Sequence, residues 1–182
     1  LSKRVRLIIG GDEETGSCLC MKRYKETEEL PTIAFSPDAD YPAVFGEKGL
    51  LRVRIFGEET AMPDDFKFDG GKVINIVPDE AHAFIEGEAL SEKGLAAHGS
   101  MPEKGENAIL KLAEKISVRF PESAFANLYS LTTAQSLGID IKDSLTTLSI
   151  NPSVLHADST QCELLYDIRY PITANGEEVI SS

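Results

Sequence analysis

The hydrophobic and polar positions divide the chain into two parts with different patterns. In residues 1–49, short continuous apolar runs at 5–11 and 32–35 predict buried strands of an α/β sheet. Residues 17–28 between them predict a helix. In the rest of the chain, apolar and polar residues often alternate, which predicts half-exposed antiparallel strands. We therefore expect two structural regions that meet near residue 49.

The second region predicts strands that flank two helices. An i, i+3, i+4, i+7 spacing of apolar residues predicts an amphipathic helix at 106–118, and a second helix is expected at about 122–135. Residues 66–71 predict a turn-rich loop. The predicted strands cover residues 51–55, 73–78, 81–86, 145–150, 153–156 and 161–170. This order favours an α+β fold, a two-layer sandwich of the ferredoxin-like kind, after the partial α/β sheet of residues 1–49.

Composition and charge narrow the range of partners. The chain has 182 residues, of which 42% are hydrophobic, and this suits one domain or one domain with part of another. The net charge of −12 disfavours nucleic acid and anionic membranes as partners. No apolar run approaches the ~18 residues of a membrane-spanning helix, and the chain begins at Leu1 without a signal-peptide pattern. We expect a cytoplasmic protein and interpret this sequence as a segment.

The acidic turn GDEETG at residues 11–16 is a candidate catalytic segment. Adjacent carboxylates repel each other, and a bound cation offsets that repulsion. Glu13 and Glu14 point in different directions, so one can bind a metal while the other accepts a proton from metal-bound water. A solvated acidic turn or a helix N-terminus explains the pattern equally well.

A second acidic segment follows the second predicted strand, at residues 36–42. Asp38 or Asp40 could provide another oxygen ligand. The carboxyl ends of strands in an open α/β sheet are where ligands bind, so both acidic segments fall at the expected edge. The alternative is a Pro/Asp turn without a chemical role.

His98 lies in a Gly- and Pro-rich loop immediately before the first predicted helix of the second region. A loop histidine beside a cleft could polarise a carbonyl or stabilise an oxyanion. A surface or turn role is the simpler interpretation, and the Ser100–Glu103 spacing is also that of a capping box.

Arg169 and Asn75 are candidate substrate-binding residues. Arg169 lies on the polar face of the last predicted strand, where it could bind a carboxylate with two hydrogen bonds. Pairing with Asp167 or Glu163 is an equally good explanation. Asn75 could donate a hydrogen bond to a ligand or could serve only a turn.

Taken in order, these segments resemble the di-zinc aminoacylase, carboxypeptidase and dipeptidase family, and within it the bacterial Xaa-His, carnosinase-like dipeptidases. The resemblance covers nearly the whole chain. The matching segments are GDEETGS at 11–17, FSPDADYP at 35–42, GEKG at 46–49, NIVP at 75–78, HGSMPEKGENA at 98–108 and DIRYP at 167–171.

The resemblance implies a metal centre of two zinc ions in residues 1–49, part of a catalytic domain. Glu13 matches the general base that activates the bridging water, and Glu14 matches a zinc ligand. Asp38 matches a ligand of the other zinc, with Asp40 as the alternative within the same motif.

The resemblance also implies a lid domain, of the kind used for dimerisation, at residues 50–171, with a return to the catalytic domain at 172–182. His98 matches the lid histidine that stabilises the tetrahedral intermediate. Arg169 matches the arginine that holds the substrate's C-terminal carboxylate, and Asn75 matches an asparagine beside the substrate backbone.

Several residues that the family requires have no counterpart here. A His-x-Asp segment, a zinc-bridging aspartate and a distal histidine are missing, so the chain offers two of five metal-ligand residues. Because every nitrogen ligand is among the missing groups, we expect weak or no zinc binding by this chain alone. It is expected to be inactive until the missing catalytic segments are supplied.

Two other functions remain open. One is hydrolysis of N-acyl amino acids by a deacylase or carboxypeptidase of the same family, in place of dipeptides. The other is a non-catalytic module that self-associates, for example as a homodimer, through an exposed strand or helix of the lid.

Overall fold

A computed structural model describes residues 4–11, 17–37, 44, 46–58, 61–123, 139 and 141–181. The chain divides into two compact units, residues 1–44 and residues 45–182. The predicted domain limits near residues 49 and 171 stay predictions. Within the described ranges, no helix is both long enough and apolar enough to cross a membrane.

The first unit contains the predicted helix, α1, at Leu19–Thr27. Residues 4–11 run beside its C-terminal end, where the Arg6 guanidinium donates to the Tyr24 hydroxyl over 2.6 Å. The same guanidinium donates to the Glu29 backbone carbonyl over 3.1 Å. Arg6 thus joins the first described segment to the end of the helix, and Arg4 pairs with Glu29 just beyond it.

The two strands predicted in this unit, at 5–11 and 32–35, are not formed in its described residues. Their large apolar side chains are exposed, with 85% of Ile9 and 90% of Phe35 open to solvent. A buried strand needs neighbouring strands for its backbone hydrogen bonds and a layer of helices over its side chains. The described part of the unit provides no strand to pair with either run.

In the second unit the described residues form a six-stranded sheet with the order β1-β6-β5-β2-β3-β4. Every neighbouring pair of strands is antiparallel. The strands are β1 at Gly49–Glu58, β2 at Lys67–Gly70, β3 at Glu80–Ile85, β4 at Glu88–Lys93, β5 at Ser149–Asp158 and β6 at Gln161–Tyr170. A 3₁₀ turn at Pro102–Lys104 precedes helix α2 at Ala108–Arg119, and helix α3 covers Gly176–Ser181. The predicted α+β class is confirmed.

Helix α2 packs on one face of the sheet, against β3, β4 and β5. Its i, i+3, i+7 residues Ile109, Leu112 and Ile116 are buried, as the apolar spacing predicts. Burying each such side chain contributes about 1.5–3 kcal/mol. The opposite face of the sheet carries polar side chains in its central strands, such as Asp69 and His156, whose carboxylate and ring lie 3.0 Å apart.

The alternating patterns that predict β1, β3 and β6 are confirmed. Three other predictions are wrong. Residues 66–71 contain strand β2 rather than a loop, and residues 73–78 form a turn with one isolated bridge at Ile76. The two runs at 145–150 and 153–156 contribute to one strand, β5, which has an irregularity between Pro152 and Val154. The second predicted helix lies almost entirely outside the described residues.

Candidate functional site

Two loops beside the sheet pair with each other through their backbones, and we call them the paired loops, residues 75–77 and 97–99. Ile76 forms an isolated antiparallel bridge with His98. The Val77 N–H donates to the Ala97 carbonyl over 2.8 Å, and the Gly99 N–H donates to the Asn75 carbonyl over 2.7 Å. Asn75 and His98, which are far apart in sequence, are therefore neighbours in the structure.

The His98 ring is exposed, and Ser100 orients it. The Ser100 hydroxyl lies 2.7 Å from His98 Nδ1, and the Ser100 backbone N–H donates to the same nitrogen over 3.3 Å. A backbone N–H can only donate, so Nδ1 must accept, and the neutral ring then carries its proton on Nε2. A proton on Nε2 of this exposed ring is the tautomer required for that nitrogen to donate a hydrogen bond to a developing oxyanion.

Arg169 lies near the end of β6 and is held by Asp167, two residues earlier on the same strand face. Its Nε donates to Asp167 Oδ1 over 2.7 Å, and its Nη2 donates to Oδ2 over 3.1 Å. The Asp167 side chain has 0% exposure and the Arg169 side chain has 17%. Of the two pairings that the sequence leaves open, the structure therefore has Arg169 with Asp167. The other candidate, Glu163, pairs with Arg54 across β1 and β6.

Gly99 brings the paired loops into contact with the Asp167–Arg169 pair. A Cβ atom placed on Gly99 would lie 2.6 Å from Asp167 Oδ2 and 3.1 Å from the Asn75 carbonyl oxygen. Such distances leave no room for a side chain, so the backbone of the His98 loop packs directly on the carboxylate that holds Arg169. Three of the predicted site residues, Asn75, His98 and Arg169, thus belong to one cluster.

Two asparagines anchor the paired loops to the sheet and to helix α2. The buried Asn151, on β5, donates to the Ile76 carbonyl over 3.1 Å. Asn107 donates to Asn151 Oδ1 over 3.1 Å and to the Pro152 carbonyl over 2.8 Å. The carbonyl oxygen of the Asn107 side chain also accepts from the Ile109 N–H. One side chain therefore caps α2 and holds Asn151, which in turn binds the paired loops.

The predicted acidic residues Glu13, Glu14, Asp38 and Asp40 lie outside the described residues, so their roles stay predictions. Across the part of the chain that the structure describes, no three His, Cys, Asp or Glu side chains are grouped to hold a metal ion. The described site is therefore the histidine, amide and guanidinium cluster.

Sequence reasoning missed the contributions of Gly99, Ser100 and Asn151. Asn151 had a usable signal, because a polar residue within an otherwise apolar strand is expected to satisfy a specific hydrogen bond. Ser100 is separated from His98 by one residue, which permits local hydrogen bonding. Gly99 gave no specific signal, since its requirement for close approach depends on Asp167, which is 68 positions away in the sequence.

The chain is an α+β protein with an antiparallel sheet. Near the end of this sheet where β1 and β5 begin and β6 ends, the paired loops contribute an imidazole and an amide, and β6 contributes a guanidinium. Hydrogen-bond donors of these kinds suit a ligand that has a carboxylate and a carbonyl.

Comparison with known proteins finds relatives that are named putative dipeptidases. The chain is 31% identical to "Putative dipeptidase YtjP" of Bacillus subtilis, in an alignment that covers 98% of the chain and 48% of that protein. It is 29% identical to "Putative dipeptidase SH1171" of Staphylococcus haemolyticus, with 98% and 48% covered. For "Putative dipeptidase SAB1611c" of Staphylococcus aureus the identity is 28%, with 93% and 46% covered.

The chain thus spans about half the length of the curated relatives that it matches. No protein-family model matches it.

Proposed function

We propose that this chain is the lid-bearing segment of a zinc-dependent dipeptidase of the di-zinc aminoacylase, carboxypeptidase and dipeptidase family, of the carnosinase-like type. The observation that carries the proposal is the joining of Asn75, His98 and Arg169 through Gly99. The similarity to proteins named as dipeptidases over 98% of the chain supports it independently.

The described residues suit the binding of a dipeptide. Arg169 would bind the C-terminal carboxylate of the dipeptide, because a guanidinium and a carboxylate pair through two parallel hydrogen bonds. His98 Nε2–H would donate to the oxygen of the scissile carbonyl as negative charge develops there. Asn75, half-buried beside His98, would bind a polar group of the substrate backbone.

The remaining roles are proposed for the acidic residues. Glu14 and Asp38, or Asp40 in place of Asp38, would provide oxygen ligands to zinc. Zinc, when bound, lowers the pKa of a bound water and thereby makes it a nucleophile at neutral pH. Glu13 would accept the proton of that water and deliver it to the leaving amine. Residues 1–49 would then belong to the catalytic domain and residues 50–171 to the lid.

We further propose a cytoplasmic enzyme whose catalytic centre is completed by other segments of the same polypeptide. On the resemblance, the chain would provide two of the family's five metal-ligand residues, and the nitrogen ligands would have to come from elsewhere. The 182 residues alone are then inactive toward dipeptides.

The role of His98 is tested in the polypeptide that contains these 182 residues, by measuring dipeptide hydrolysis after His98→Ala. Removal of one oxyanion donor lowers kcat by about 10²–10³-fold, and we expect KM to change much less. The control is His82→Ala, because His82 is an exposed imidazole on β3 that the proposal gives no role. Equal kcat values for His98→Ala and the unchanged protein would refute the assignment.

A further inference from the structure

We propose that Asp167 is a positioning residue, which fixes the Arg169 guanidinium for the substrate carboxylate and ties it to the His98 loop. This inference rests on the proposed function. Asp167 would touch neither the substrate nor the reacting atoms, and it would act through Arg169 and Gly99.

The geometry of the pair determines which part of Arg169 remains for a ligand. A guanidinium has five N–H groups, and Asp167 accepts from Nε and from Nη2, along one edge of the planar group. The edge formed by Nη1 and the second Nη2–H has the same two-pronged form. The Arg169 side chain is 17% exposed, whereas the Asp167 side chain is fully buried. A carboxylate of a ligand would therefore bind this pair at the arginine.

Burial makes this arrangement rigid. A carboxylate with no exposed surface is strongly destabilising without a partner, so Asp167 retains the guanidinium rather than releasing it to a ligand. Arginine otherwise has a flexible side chain, which loses rotamer freedom when it binds. Because Asp167 has already ordered it in the folded protein, the substrate carboxylate meets a guanidinium that needs no further ordering.

The same carboxylate also sets the position of the His98 loop. Asp167 Oδ2 accepts a hydrogen bond from Arg169 on one side, and on the other side it lies 2.6 Å from the position that a Cβ of Gly99 would take. The Gly99 N–H is fixed to the Asn75 carbonyl at 2.7 Å. One buried oxygen therefore links the group proposed for the carboxylate to the loop that carries the proposed oxyanion donor.

The test compares a dipeptide with the corresponding dipeptide amide, which lacks the C-terminal carboxylate, as substrates of the polypeptide that contains the chain. Asp167→Asn keeps the side-chain shape but replaces one acceptor oxygen with an NH₂ donor. One of the two hydrogen bonds that hold the guanidinium is then lost, and the Arg169 side chain is no longer fixed. We expect the ratio of kcat/KM for the dipeptide to that for the amide to fall about tenfold, the factor for one charge-assisted hydrogen bond. Adding Arg169→Met to Asp167→Asn should lower the ratio no further than Arg169→Met alone.

The control is Asp69→Asn, because Asp69 is an exposed carboxylate on β2 that also pairs with a basic side chain. It should leave the ratio unchanged. If Asp167→Asn fails to fold by circular dichroism, Asp167→Glu provides the test, since it keeps the negative charge but moves the carboxylate relative to the guanidinium and should lower the same ratio.

The outcomes separate the two hypotheses. An unchanged or increased ratio in a folded Asp167→Asn protein overturns the inference and leaves the proposed function standing; an increase would mean that removing negative charge matters more than orienting the guanidinium. Equal decreases of kcat/KM for the dipeptide and for the amide would mean that Asp167 only stabilises the fold, and this result would also overturn the inference. If the unchanged polypeptide hydrolyses neither substrate, the proposed function fails, and the inference fails with it.

Discussion

At the scale of single residues, Tyr166 gives the clearest dependence of stability on pH. Its hydroxyl is buried on the core face of β6 and has no hydrogen-bond partner within the described part of the chain. Burial, with a smaller contribution from Cys162, raises its pKa to about 12. Above pH 10 the unfolded phenol ionises while the folded one stays protonated, so the unfolded state binds fewer protons and stability falls as pH rises from about 10 to about 12.

Replacing Tyr166 with Phe should remove this dependence. Two pKa units correspond to about 2–3 kcal/mol, so unfolding in urea at pH 11.5–12 should show the unchanged protein losing up to that much more stability than Tyr166→Phe. At pH 7 the variant should be at least as stable, because it removes an unpartnered polar atom. Because the two proteins differ only at residue 166, the comparison isolates this one group. Parallel stability curves between pH 9 and pH 12 would contradict this account.

The residue scale also shows what sequence reasoning could and could not determine in the site. The i, i+2 spacing of Asp167 and Arg169 places both on one strand face, which permits their pairing, but the same reasoning allowed Glu163. The choice depends on Arg54, which comes from a strand more than 100 positions away and pairs with Glu163. Burial of Asp167 depends equally on the loop that carries Gly99. Long-range contacts of this kind are absent from any local pattern.

At the scale of elements, the beginning of helix α2 is the junction on which the site depends. Asn107→Ala removes an N-cap, which typically costs ~1 kcal/mol and up to about 2 kcal/mol, and it also leaves Asn151 without a partner for its Oδ1. We expect a loss of about 2–3 kcal/mol in the free energy of unfolding, measured by urea denaturation.

Asn175→Ala is the matched control. The Asn175 side chain accepts from the Glu177 N–H at the beginning of the short helix α3. It is an N-cap of the same residue type, so its replacement should cost ~1 kcal/mol or less. If the two variants lose equal stability, the link between Asn107 and Asn151 contributes nothing beyond capping.

The elements themselves were predictable where burial follows a simple period. Strand β2 was missed because its glycine-rich end resembles a turn, yet Gly70 is required there, since a Cβ would lie 2.6 Å from Ile109. Strand β4 was missed because it is a polar edge strand; a two-residue turn sets its pairing, in which Glu86 and Gly87 both have positive φ. Asp65 accepts from both backbone N–H groups of that turn, and these bonds lower its pKa.

At the scale of the whole molecule, the second unit contains the predicted site residues that the structure describes. Its sheet and paired loops bring Asn75, His98 and Arg169 together from three distant segments, and their roles in binding stay predictions. The carboxylates predicted to complete the chemistry, Glu13, Glu14 and Asp38, belong to the first unit and stay predictions. Their assignment depends on local sequence and on the resemblance, because the strands expected to support them are not formed in the described residues.

The most direct test of the central claim is the zinc dependence of dipeptide hydrolysis by the polypeptide that contains this chain, with and without Glu13→Gln. We expect activity that is lost on zinc removal and restored by zinc, and a fall in kcat of about 10²–10⁴-fold for Glu13→Gln, the contribution of a general base. The isolated 182-residue chain should show no turnover under the same conditions. Hydrolysis that persists without zinc, or that is unaffected by Glu13→Gln, would contradict the assignment.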